Sequence, residues 1–178
     1  GEEITHMEAI NAVHEGIING EIVPVFCGAA TKNWGIKTLL DTIANSFPRP
    51  TARGTEKVVD ADGNLKDIEI GVESADTSIF IFKTVADPFV GKMSFFKVMS
   101  GKVKRDMVLK NLTNGTSEKM AHIYTVKGKT QTEVDELCCG DIGMIAKLSN
   151  TNTNDTLAES GSVAYSTISY PTPYMTQA

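Results

Sequence analysis

The sequence predicts a mainly β protein, a closed antiparallel barrel or a sandwich, preceded by a short α/β segment of helix, strand and helix. Three observations carry this. From residue 77 onward, short apolar or alternating runs are separated by turn signals at near-regular spacing. Before residue 50, apolar residues recur instead at helical spacing around one β-branched run. Between the two lies a stretch rich in Pro, Gly, Asp and Glu, which reads as a connector.

The first helix is expected after Thr5-His6-Met7-Glu8. This is a capping box, in which the hydroxyl and the carboxylate each satisfy an otherwise unpaired N–H. Met7, Ile10, Val13 and Ile17 then form one stripe, and Gly20 is a stop signal. Ile22–Cys27 is short, apolar and β-branched, as a buried strand is, although Pro24 points to an edge or an irregular position. Gly28 follows as a tight turn. The second helix carries Ile36, Leu39, Leu40, Ile43 and Phe47, and stops at Pro48. Two helices and one strand cannot close a core alone.

In the connector, Asp60-Ala61-Asp62-Gly63-Asn64 is a turn cluster, with a hairpin expected between Glu56–Val59 and Lys66–Ile70. The Asp-x-Asp-x-Asn spacing is that of a calcium loop's opening. Leu65 and Gly71 stand where such a loop needs Gly and Glu, so a plain turn is the better reading. Further on, Ile79–Phe82 is a continuous apolar strand centre. Met93–Met99 alternates, and Ser94, Phe96 and Val98 form the less charged set, assigned to the interior. That leaves Lys97 outside with Met93, Phe95 and Met99. Met107–Leu112, Lys119–Tyr124, Ile142–Leu148 and Thr156-Leu157 supply further strands.

The net charge is −5, all of it carried by residues 1–71; residues 72–178 are neutral. Within the neutral part Lys92, Lys97, Lys102, Lys104, Arg105 and Lys110 are opposed in sequence only by Asp106. The cluster is either a solvated face or a local phosphate-facing patch. No run of about 20 apolar residues is present, so no membrane contact is expected. Cys27, Cys138 and Cys139 do not make a disulfide framework and read as reduced thiols of a cytoplasmic protein. His6, His14 and His122 lack zinc spacing, and no catalytic or metal-binding set is visible. Trp34 either stacks a base or packs at a helix start. A Gly-x-x-x-x-Gly-Lys-Ser/Thr loop and an Asn-Lys-x-Asp motif are both missing. With no initial Met either, the chain is expected to be a piece of a longer protein.

Two runs carry a family resemblance. Val23-Pro24-Val25-Phe26-Cys27-Gly28-Ala29-Ala30-Thr31-Lys32-Asn33-Trp34-Gly35-Ile36 resembles the end of the GTP-binding domain of elongation factor G. Phe82-Lys83-Thr84-Val85-Ala86-Asp87-Pro88-Phe89-Val90-Gly91-Lys92 through Gly101 resembles the opening of that factor's second domain, and Val134–Leu137, Gly140–Gly143 and Asn154–Leu157 are similar to its later strands. The resemblance implies a β-barrel of the translation-factor type behind a fragment of a GTPase domain. The implied division is 1–50 for the end of the GTP-binding domain, 51–76 for the connector, 77–163 for the barrel and 164–178 for a lead-in to a third domain. It implies a ribosome-dependent GTPase acting in translocation, with GTP and Mg in the full-length parent and no cofactor for the fragment. Implied partners are the ribosome, through small-subunit ribosomal RNA, and the parent's remaining domains. Ala29, Ala30 and Thr31 stand where the family has a guanine-recognition motif, commonly Ser-Ala-Leu or Ser-Ala-Lys. Ala29 keeps the backbone N–H but loses a hydroxyl. Lys97, Lys102, Lys104 and Arg105 are the implied RNA-facing cations. The fragment itself is expected to be inactive, because phosphoryl transfer needs the absent phosphate loop. A tetracycline-resistance-type ribosomal protection protein and release factor three share the resemblance. A protein-interaction barrel without RNA contact is the reading from another class.

Overall fold

The computed structural model describes residues 3–49, 52, 54–60, 62–71, 75–161 and 164–175. The chain divides into two compact units, Gly1–Arg49 and Pro50–Ala178.

The first unit holds two helices, α1 (His6–Ile18) and α2 (Ile36–Ser46). Both halves of the capping box form at α1: Thr5 Oγ1 accepts from Glu8 N–H, and Glu8 Oε2 accepts from Thr5 N–H at 2.8 Å. The Thr5 bonds hold the Glu8 carboxyl below the usual carboxylate range. After α1, Glu21 N–H and Ile22 N–H both bond Gly16 O, at 2.8 and 2.9 Å. His14 Nδ1 lies 3.0 Å from Ser46 O and so ties α1 to the end of α2. The expected strand Ile22–Cys27 does not form. The segment pairs with no ladder, and Val23 and Val25 are 80% and 88% exposed. A strand's hydrogen bonds come from a neighbouring strand, and the described residues of this unit offer none.

The second unit is β throughout. A hairpin, β1 (Thr55–Val59) and β2 (Leu65–Glu69), takes β13 (Ala164–Tyr165) as third strand. Asp60 builds its turn by accepting from Asp62 N–H and Asn64 N–H, and it pairs with Lys66 Nζ at 2.9 Å. Those contacts, Lys66 first, lower the Asp60 carboxyl. The main sheet is built from β3 (Ser78–Asp87), β4 (Gly91–Ser100), β6 (Val108–Asn111), β7 (Ser117–Lys119), β8 (Ile123–Lys127), β9 (Thr130–Val134), β11 (Ile142–Ala146) and β12 (Thr156–Ala158). These eight strands lie in the order β7-β6-β12-β3-β4-β11-β8-β9, all neighbours antiparallel. A separate two-stranded ladder joins β5 (Lys102–Lys104) to β10 (Glu136–Cys138).

Among the described residues no sheet closes on itself: β7 and β9 end the eight-stranded ladder. Val103 of β5 and Leu137 of β10 nonetheless lie in one buried cluster with Ile79, Ile81, Phe96 and Val98. A second cluster, of Val58, Ile70, Phe80, Met99 and Tyr165, lies under the hairpin. The run Ile79–Phe82 is continuous in apolar residues because alternate side chains feed two cores, one on each face of β3. A register shift between Ile81 and Lys83 accommodates Phe82. Ser94, Phe96 and Val98 are fully buried, as their alternation predicts. The opposite face of β4 is covered in part too: Met93 and Met99 are buried and Lys97 is half-buried.

Candidate functional site

Two places carry the residues singled out by sequence. The first is the turn before α2. Ala29 N–H bonds Trp34 O at 3.0 Å, and Trp34 N–H bonds Ala29 O at 3.2 Å. Between them Ala30–Lys32 makes one 3₁₀ turn, closed by Lys32 N–H to Ala29 O at 3.0 Å. Gly35 is needed here: its φ is +73°, and a Cβ would stand 2.5 Å from Cys27 O. The bridge uses the N–H of Ala29. The N–H groups of Ala30 and Thr31 meet no acceptor among the described residues. Trp34 is 66% exposed, with the Lys32 ammonium 4.9 Å above its ring. It therefore does not pack at the helix start, and the contact is a cation–π pair.

The second place is the basic segment of β4 and β5. Lys97 lies on β4 between Phe80 of β3 and Ile142 of β11. Gly101 turns the chain from β4 into β5 with φ +65°. A Cβ there would meet Thr77 N at 2.8 Å, so the two segments touch through backbone. Lys102 is half-buried and Lys104 exposed, facing Cys138 and Glu136 of β10 respectively. Arg105 continues the ladder through its N–H to Asp135 O at 2.9 Å. Its guanidinium lies 3.5 Å from Glu133 and 3.1 Å from Asp135. Asp106, the one acid near in sequence, pairs with Lys119 at 2.7 Å rather than with the cluster's own cations. Lys119 accounts for most of the lowering of the Asp106 carboxyl.

Sequence reasoning did not place Glu133, Asp135 and His122 beside the basic segment. His122 Nδ1 lies 2.8 Å from Glu133 Oε1, and that bond, ahead of Arg105, lowers the Glu133 carboxyl. The acids stand about thirty positions from Arg105, so charge spacing alone could not couple them. The only local signal is the alternation of Gln131 and Glu133 along β9. The structure puts Lys97 on β4, Lys102 and Lys104 on β5 and Arg105 directly after β5, with Arg105 already flanked by carboxylates. Among the described residues no group of His, Cys, Asp and Glu could hold a metal ion. No helix there is long and apolar enough to cross a membrane.

The basic segment falls inside residues 76–160, and that stretch matches the family model described as elongation factor G domain 2. Residues 76–160 belong to the elongation factor G domain 2 family. Elongation factor G of Mycoplasma genitalium is 34% identical over 152 residues, which is 84% of this chain and 22% of that protein. A crystal structure from Thermus thermophilus shares the fold with a TM-score of 0.69 at 24% identity, over 90% of this chain and 21% of that one. The chain thus spans about a fifth of the length of these relatives. The family match covers every strand from β3 to β12, so the elongation factor G second domain is the eight-stranded sheet with its β5–β10 ladder.

Proposed function

We propose that this chain is a piece of a ribosome-dependent translational GTPase of elongation factor G type, acting in translocation in the cytoplasm. The β unit is its non-catalytic module for ribosome contact and interdomain coupling. The observation that carries the reading is the family match of residues 76–160, which contains the whole basic segment. In this reading the barrel is closed by the β5–β10 ladder, whose Val103 and Leu137 share the main core. The division at 1–50, 51–76, 77–163 and 164–178 follows the same reading.

GTP and Mg belong to the parent. On this chain Ala30 and Thr31 suit the guanine carbonyl, because their N–H groups are unspent, whereas Ala29 spends its own on Trp34. No phosphate loop accompanies them, so the 178-residue chain should neither hydrolyse GTP nor bind it at micromolar level. Turnover above a buffer blank would overturn this.

Lys97, Lys102, Lys104 and Arg105 are assigned to small-subunit ribosomal RNA. Replacing Lys102, Lys104 and Arg105 with Gln in the longer protein should weaken ribosome binding. It should also lower the salt slope by roughly 0.7–0.9 for each phosphate that is no longer neutralised. Arg105→Gln alone should contribute least, since Glu133 and Asp135 already neutralise it. Unchanged ribosome affinity at low and moderate salt would leave a protein-interaction domain instead.

A further inference from the structure

A cavity of about 450 Å³ opens in the β unit beside the β3–β4 turn, β8 and the residues after β11. That volume is within the range of small-molecule sites. Val90, Tyr124 and Leu148 give it an apolar wall. Glu118 also lines it, although this residue is only 7% exposed. Glu118 Oε1 accepts from Asn150 N–H at 2.6 Å and from Thr151 Oγ1 at 3.0 Å. No donor among the described residues reaches Oε2. Among the described residues Ser94 Oγ is the one buried side-chain oxygen or nitrogen without a partner, so Glu118 Oε2 is open to the cavity. An acceptor open there suits a ligand that brings its own N–H.

The cations of the lining differ in availability. Lys119 is engaged by Asp106, and His122 by Glu133. The Lys147 ammonium meets no partner among the described residues. Its backbone is fixed at φ +65° by an N–H bond to Lys92 O at 2.7 Å. The wall thus offers a flat aromatic surface, one open acceptor and one available ammonium.

We propose that this cavity binds a nucleotide whose base carries an exocyclic amino group. The base lies against Tyr124 and Leu148, its amino group donates to Glu118 Oε2, and its phosphate faces Lys147. Uracil fits poorly, because its one ring N–H sits between two carbonyl oxygens that would confront the same carboxylate. A free mononucleotide and an unstacked nucleotide of single-stranded RNA present the same chemistry. The proposal does not depend on ribosome binding.

The test is an amide-resolved NMR titration of the 178-residue chain with AMP, UMP, inorganic phosphate and hexa-adenylate. AMP should shift Tyr124 and Leu148 amides saturably. UMP should bind about fivefold or more weakly, since it brings no amino group to the Glu118 carboxylate, and phosphate alone should not shift them. Hexa-adenylate binding well beyond its sixfold statistical advantage identifies RNA as the source; equal affinity per nucleotide identifies the free nucleotide. Glu118→Gln should remove the preference for AMP over UMP. Lys147→Gln, at an exposed position, should weaken AMP by roughly two- to fivefold without loss of fold. Absence of saturable shifts at these amides, equal binding of AMP and UMP, or full AMP affinity in Lys147→Gln would each overturn the proposal.

Discussion

Both units of this chain carry apolar stripes, and only one of them buries its stripes. Among the described residues no hydrophobic side chain before Val58 is buried. Met7, Ile10 and Val13 on α1, and Leu40 and Ile43 on α2, are all at least 42% exposed. In the β unit Ile79, Ile81, Phe96 and Val98 are fully buried. The contrast shows how differently helices and strands depend on their surroundings. A helix satisfies its backbone within itself, so α1 and α2 form with their stripes uncovered. A strand must find a partner, so Ile22–Cys27 stays unpaired while β3, with partners on both sides, is buried on both faces.

The largest expected difference is in amide exchange. Protection in β3 and β4 should approach the global unfolding free energy, about 5–15 kcal/mol for a domain. In Ile36–Ser46 it should fall close to the level of local fraying. Equal or slower exchange in α2 would abolish the contrast. Next in size is Phe96→Ala, which should cost about 3–5 kcal/mol in chemical denaturation, because the ring is fully enclosed in the main core. Its counterpart Leu40→Ala, at 59% exposure, should stay within about 0.5 kcal/mol. A Leu40→Ala cost comparable with that of Phe96→Ala would mean that α2's stripe is buried in solution.

A finer test bears on the second core. Tyr165 Oη bonds Ser78 Oγ at 2.8 Å, and its ring meets Phe80 edge-on at 6.3 Å. Burial raises its phenol above the usual 10, against the opposing bonds from Ser78 and Ser100. With the folded value raised, the unfolded chain ionises first. Stability is therefore full below pH 10 and is lost as pH rises from there through the folded value. Tyr165→Phe should cost about 0.5–1.5 kcal/mol at neutral pH and remove that part of the alkaline loss. The same alkaline loss in Tyr165→Phe as in the parent chain would assign it to another group.

Much of the local structure was legible. The capping box at Thr5–Glu8, the hairpin turn at Asp60 and the inward set Ser94, Phe96 and Val98 each follow from residues a few positions apart. The family was legible from the run at Phe82–Gly101. The site was legible only in part, because spacing placed Lys97, Lys102, Lys104 and Arg105 together but not what faces them.

By itself, then, although the strand expected at Lys119–Tyr124 is interrupted between β7 and β8, the sequence determined the two helices, the hairpin turn at Asp60 and which face of β4 points inward. These depend on dihedral preference and on periodicity within one segment. Tertiary structure alone decided the strand order that sets β12 between β3 and β6, and the pairing of β5 with β10. It also decided the failure of Ile22–Cys27 to become a strand, and the capture of Arg105 by Glu133 and Asp135. Ladder bonds and ion pairs join residues by distance in space, and no single segment contains both partners.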